Sequence, residues 1–167
     1  MNRNLTWERV GTESKDLVQS ILDHAPQYRM NVDGVTEAPN DGEESLKAIP
    51  PHCSMEQKHF LVLRIENIPI GVADVIQNFP ETATAFIGLF LLQEERQKRG
   101  LGKAAYQLLE QHIRTQLGSK KIRLAIVDSN PVQPFWEKMG FIATGETRPH
   151  EGVNKKSIKR VMEKWLG

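Results

Sequence analysis

Cysteine is almost missing from this sequence. Cys53 stands alone among 167 residues, which excludes an intrachain disulfide and a cysteine-based metal site. An excess of either charge is missing too: Lys and Arg number 22, Asp and Glu 21, and the net charge is +1. A dedicated nucleic-acid binder usually carries a clear basic excess. No run approaches the roughly 18 consecutive apolar residues of a membrane-spanning helix. The opening Met1-Asn2-Arg3-Asn4-Leu5-Thr6-Trp7 has no apolar signal-peptide region. These shortages predict a soluble, cytoplasmic protein that takes no nucleic acid, no membrane and no metal. The length suits one domain over residues 1–167, with a core that needs no disulfides or metals.

What is present begins with a strand. Leu5-Thr6-Trp7-Glu8-Arg9-Val10 alternates apolar and polar residues. Thr12 is placed to cap a helix in which Leu17, Ile21, Leu22 and Ala25 recur at helical spacing, and Pro26 is expected to end it. From residue 26 to 54 the chain is punctuated by Pro26, Pro39, Pro50, Pro51, Gly34 and Gly42. One short helix, Gly42 to Ala48, is expected there, in a segment that otherwise suits a binding loop. The texture then turns to strands. His59–Ile65, the turn Glu66-Asn67, Ile68–Ile76 and Thr84–Leu92 read as an antiparallel meander. A periodic helix follows from Leu101 and ends at Gly118, with Leu101, Ala105, Leu108, Leu109, His112 and Ile113 on one face. Ile122–Val127 is a buried strand. The strand-helix-strand order predicts a crossover with parallel pairing. A short helix with Pro131 at its first position runs to Lys138 or Met139 and stops at Gly140. Phe141–Thr144 and Ser157–Trp165 are expected as last strands around a polar loop, Pro149 to Lys156.

The chain is organised around the junction of the third strand and the long helix, Leu91-Leu92-Gln93-Glu94-Glu95-Arg96-Gln97-Lys98-Arg99-Gly100-Leu101-Gly102-Lys103. Two glycines and four basic residues at a helix start suit a phosphate. The first-turn N–H groups are free to donate, and the helix dipole favours negative charge. Gly100-Leu101-Gly102-Lys103-Ala104-Ala105 also fits a loose G-x-G-x-x-A dinucleotide pattern. That pattern needs a parallel strand just before the glycines, whereas here a meander and the charged run Glu94 to Arg99 precede them. A Walker P-loop fits worse, with Gln97 where Gly is required and Ala104 where Ser or Thr is required. A basic, solvated helix start is the plain alternative.

A second stretch, Asn130-Pro131-Val132-Gln133-Pro134-Phe135-Trp136-Glu137-Lys138-Met139-Gly140-Phe141, follows the next strand. Together the two stretches resemble the GNAT superfamily of N-acetyltransferases. Gln97, Gly100 and Gly102 meet its Gln/Arg-x-x-Gly-x-Gly/Ala motif, and Asn130 with Trp136 to Phe141 meets its next one. The resemblance covers about residues 58 to 145. It implies an α+β fold: a mixed, mostly antiparallel central sheet flanked by helices, with a splayed parallel strand pair. It also implies acetyl-coenzyme A (acetyl-CoA) as donor. The backbone from Gln97 through Lys98, Arg99, Gly100, Leu101 and Gly102 to Lys103 would hold the pyrophosphate. Phe90, Leu91 and Leu92 would lie along the pantetheine, with an N–H near Leu92 polarising the thioester. Asn130 would bond a pantetheine amide or cap the short helix. Phe135 and Trp136 would pack beside the cofactor or in the core.

The chain departs from the family in its proton-transfer groups. Trp136 stands where many members carry a tyrosine proposed to protonate the leaving thiolate, and an indole N–H is no such acid. A thiol pKa of roughly 8.5 lets the thiolate leave without one. The Thr84–Leu92 strand has no carboxylate to act as base. Asp74 and Glu94 are the candidates, each with a structural role as its alternative; His112 suits the core. Tyr28, Arg29, Asp33, His52 and Arg148 are candidates for the acceptor pocket. The expected function is acetyl transfer to a primary amine of a small molecule by direct attack in a ternary complex. A protein amine, a CoA-binding regulatory module without catalysis, and a nucleotide-binding oxidoreductase are the alternatives. A homodimer is compatible with the sequence, which does not fix the oligomeric state.

Overall fold

The computed structural model describes residues 4–97 and 99–167. Lys98, assigned above to the phosphate turn, lies outside the described residues. The apolar alternation and the short turns build one seven-stranded sheet in the order β1-β2-β3-β4-β5-β7-β6. Its strands are β1 (Leu5–Arg9), β2 (Lys58–Ile65), β3 (Ile68–Gln77), β4 (Thr84–Leu92), β5 (Lys121–Val127), β6 (Ile142–Glu151) and β7 (Lys156–Trp165). The pair β4–β5 is parallel, and the other neighbours are antiparallel. Glu66 and Asn67 both take positive φ, 49° and 70°, which matches the twist of a two-residue hairpin between β2 and β3.

Helices α1 (Lys15–Asp23), α2 (Pro26–Asp33) and α3 (Asp41–Lys47) precede the meander, α4 (Leu101–Thr115) joins β4 to β5, and α5 (Gln133–Lys138) follows β5. Alternation along β2 and β3 sends side chains to two cores. Phe60, Val62 and Val72 meet Val18, Ile21 and Leu22 of α1 and Leu46 of α3. Leu61, Ala73 and Val75 face the other way, under Tyr106, Leu109 and Ile113 of α4. No helix among the described residues is long and apolar enough to cross a membrane.

Several boundaries differ from those expected. Thr12 caps no helix; it opens a 3₁₀ turn, Thr12–Ser14, ahead of α1. Helix α1 ends at Asp23, and Pro26, expected to close it, opens α2. The fixed φ and missing N–H of proline suit a first turn. Helix α2 buries only Arg29 and Val32, so it left no apolar stripe in the sequence. In α5 the first-turn proline is Pro134, not Pro131. Strand β6 runs on to Glu151, which shortens the expected loop to residues 152–155. It is an edge strand with hardly a buried side chain, so no alternation marked it, and an edge accepts Pro149.

Candidate active site

The site lies where β4 and β5 part. The two strands are in register only from Thr84↔Lys121 to Ile87↔Leu124. Beyond that point β4 continues to Leu92 and β5 to Val127 without mutual pairing, which gives the expected splay. A cavity of about 670 Å³ occupies the opening. Gln93 N–H bonds Ile70 O on β3 at 2.9 Å. Backbone direction alternates along a strand, so the N–H and C=O of Leu92, and those of Phe90, face the opening.

The glycine turn closes one end. Gly100 takes φ 75° and ψ −1° immediately before α4, a left-handed conformation that glycine adopts without strain. The side chain of Leu101, 3% exposed, packs with Leu63, Ile70, Leu92 and Ala105 and fixes the turn to the sheet. Ala104 N–H reaches Gly100 O at 3.4 Å. Among the described residues, the N–H groups of Leu101 and Lys103, which flank Gly102 ahead of that bond, have no partner four residues back. Gln97 Nε2 donates to Leu92 O at 2.8 Å, tying the turn to the end of β4. Arg99 and Lys103 are exposed. A Cβ on Gly102 would stand 3.4 Å from Phe135 Cε2, so the ring covers this helix start closely.

An aromatic group backs the opening. Phe90 stacks on Phe135 with centroids 6.0 Å apart and meets Trp136 edge-on at 5.5 Å. Trp136, 6% exposed, also contacts Tyr106 and Phe141. Of the residues assigned from the sequence, Phe90, Leu91, Leu92, Gln97, Gly102, Asn130, Phe135 and Trp136 all line the cavity. Asn130 does not cap α5, whose N-cap is Val132; its Oδ1 accepts from Asn31 Nδ2 at 3.4 Å.

The sequence profile of the Acetyltransferase (GNAT) family matches residues 24–141. The chain belongs to the GNAT family. No curated protein sequence matches it. Its fold is shared by an acetyltransferase from Thermus thermophilus, at 21% identity and TM-score 0.77 over 97% of each chain. A spermidine N-acetyltransferase from Vibrio cholerae, solved with CoA and spermine, has 17% identity and TM-score 0.73 over 96% of this chain and 95% of that one. An acetyltransferase from Salmonella typhimurium that modifies the N-terminal serine of ribosomal protein L7/L12 has 10% identity and TM-score 0.75 over 98% and 95%.

In this GNAT chain α2 forms the second wall. Gln27, Tyr28, Asn31 and Val32 line the cavity. Nothing in the sequence marked Gln27 or Asn31, because α2 itself was hidden. Burial, with Asp33 and Asp41 adding negative charge, pushes the Tyr28 hydroxyl up to about 12. It is therefore a neutral hydrogen-bonding group and a poor acid. Arg29 does not join the wall. Only 2% exposed, it bridges Asp23 at 2.9 Å and Asp41 at 3.3 Å and so ties α2 to α1 and α3. Asp33 holds the β6–β7 hairpin through Asn154 N–H at 2.7 Å. His52 is exposed, and Arg148, also exposed, pairs with Glu146; neither lines the cavity.

The two base candidates sit differently. Glu94 Oε1 accepts from Gln27 N–H at 2.6 Å, so its carboxylate already serves the first turn of α2. Asp74 sits on β3, where Lys58 Nζ donates to Oδ2 at 2.7 Å. Burial raises its pKa and Lys58 opposes the rise. His112 is partly buried on α4, and burial lowers its pKa.

Proposed function

We propose that residues 1–167 form one N-acetyltransferase domain that moves acetyl from acetyl-CoA to a primary amine of a small molecule. The observation that carries this reading is the meeting of the split strand pair with the helix start of α4 in one cavity. The residues present suit the donor. First-turn N–H groups at Leu101 to Lys103 and the flanking Arg99 suit a pyrophosphate. The free strand edge from Phe90 to Leu92 suits an amide-bearing pantetheine, laid against Phe90 and Phe135. Asn130 adds a side-chain amide beside that edge.

The amine attacks the thioester carbon directly. The Leu92 N–H, fixed in a strand, donates to the oxygen as its negative charge grows. The C–S bond then breaks and CoA leaves as thiolate. Trp136 supplies no proton, and the low basicity of a thiolate makes an acid dispensable. A small acceptor is favoured because α2 stands over the opening, with Gln27, Tyr28, Asn31 and Val32 lining the cavity, and the β6–β7 hairpin holds the end of that helix in place. Acetyl-CoA should raise the melting temperature, and an amine panel should release free thiol from it. Stabilisation without thiol release would favour a CoA-binding module; release only with protein or peptide amines would favour a protein acceptor.

A further inference from the structure

Gly88 is a bulge in β4. Asp74 pairs with Leu89 and Val75 with Ile87, which leaves Gly88 without a partner on β3. Gly88 is exposed and lines the cavity. Asp74 lies behind it: a Cβ built on Gly88 would stand 3.7 Å from Asp74 Oδ2. The missing side chain is the gap between that oxygen and the cavity. The Asp74 side chain keeps 16% exposure. Its Oδ1 is buried with no hydrogen-bond partner among the described residues. Lys58 Nζ, which holds Oδ2, also donates to Ala48 O at 2.6 Å and is thereby fixed in place.

We propose that Asp74, reached through the gap at Gly88, takes the proton from the acceptor ammonium and is the general base of the transfer. The proposal rests on the N-acetyltransferase reading above. An alkylamine of pKa roughly 10.4 arrives protonated and cannot attack. In the proposed step R–NH₃⁺ and the Asp74 carboxylate become R–NH₂ and the carboxylic acid. The amine lone pair forms the C–N bond, the C–S bond breaks, and the proton now on the attacking nitrogen passes to the departing thiolate. Asp74 returns its proton to water. Lys58 acts twice here: it orients the carboxylate, and its positive charge disfavours a neighbouring ammonium relative to the free amine. Lys58 of β2 is the charged group in contact with Asp74. Strand β4 meets it with Gly88 and Leu89, while α1 and α3 bring apolar Val18, Ile21 and Leu46 to this face and α2 brings the titratable Tyr28.

Two variants separate catalysis from folding. Gly88→Val fills the gap and leaves the Asp74–Lys58 pair intact. Asp74→Asn with Lys58→Met removes both charges together, so neither is stranded. Each is measured for melting temperature, acetyl-CoA affinity and kcat/KM for an alkylamine across pH. Both should bind acetyl-CoA as wild type does and lose about 100-fold or more in kcat/KM at neutral pH, the usual scale of general-base catalysis. The double variant should recover as pH rises and the free amine accumulates. Activity within twofold of wild type would overturn the proposal. So would an equal loss at every pH, or a loss of acetyl-CoA affinity, since either marks a structural role. If wild type itself bound acetyl-CoA but released no thiol with any amine, the transferase reading would fall first and this base with it.

Discussion

At the scale of single residues, the turn ahead of α4, proposed to hold the donor, depends on two glycines for different reasons. Gly100 needs its left-handed φ of 75°, and a Cβ there would meet nothing within 4 Å. Gly102 is helical and needs space, with Phe135 Cε2 3.4 Å from the missing Cβ. Gly102→Glu therefore tests binding apart from folding. A glutamate in the first turn of α4 complements the helix dipole, so the fold should hold. The same side chain places bulk and negative charge where the pyrophosphate is proposed to lie. Acetyl-CoA affinity should fall by about 30-fold or more, equal to about 2 kcal/mol. Titration calorimetry with the melting temperature recorded beside it checks this; unchanged affinity in a folded variant would move the phosphate site elsewhere.

At the scale of elements, the C-terminal end of α2 is held by the β5–α5 loop and the β6–β7 hairpin. Ser129 Oγ donates to Asn31 O, His150 Nε2 lies 2.8 Å from Val32 O, and Asn154 N–H donates to Asp33 O. The last carbonyls of α2 are thus met by the β5–α5 loop, strand β6 and the β6–β7 turn, groups that a helix end leaves without intrahelical partners. Gly152 allows the approach, since a Cβ there would stand 2.5 Å from Val32 O and 2.8 Å from Asp33 Cα, both backbone atoms. Gly152→Ala should cost about 1–3 kcal/mol of stability, the usual penalty of overpacking. It should raise the KM for the amine while leaving acetyl-CoA affinity unchanged; a falling acetyl-CoA affinity instead would show that the hairpin serves the donor. This pair of elements was also the least legible part of the sequence. Leu17, Ile21 and Leu22 face a core, so periodicity exposed α1, and the same held for α4 and the meander. Helix α2 packs through Arg29 and Val32, and β6 lies at an exposed edge, so neither carries a repeating apolar signal. The glycine turn ahead of α4 was legible because its motif is local. The wall proposed for the acceptor, with Gln27, Asn31 and the Gly88–Asp74 gap, is assembled from segments far apart in sequence.

At the scale of the whole molecule, the helix-covered sheet buries titratable groups that govern its acid stability. His59 on β2 is 9% exposed, with Nε2 3.1 Å from Gln77 Oε1. His112 on α4 has its Nε2 buried without a partner among the described residues. Burial lowers the pKa of both, and Arg9 and His112 add positive charge near His59. In the unfolded chain each histidine titrates near 6.5. Below that pH the unfolded state binds protons that the folded state refuses, so stability falls as pH falls. Asp74 acts in the opposite sense and at lower pH. Its raised pKa makes the folded state bind more protons above the ordinary value of 3.8. Glu13, Glu43 and Glu81, all lowered, lose their contribution only below about their ordinary 4.5. The histidines should therefore set the first decline, between about pH 6.5 and 5. Melting temperature recorded from pH 8 to 5 in about half-unit steps should be level at first and then fall through this window. His112→Leu puts an apolar side chain on the same buried helix face, so it should raise the plateau and shallow the fall. A level profile for wild type down to about pH 5, or an equally steep fall in His112→Leu, would place the acid-sensitive groups elsewhere.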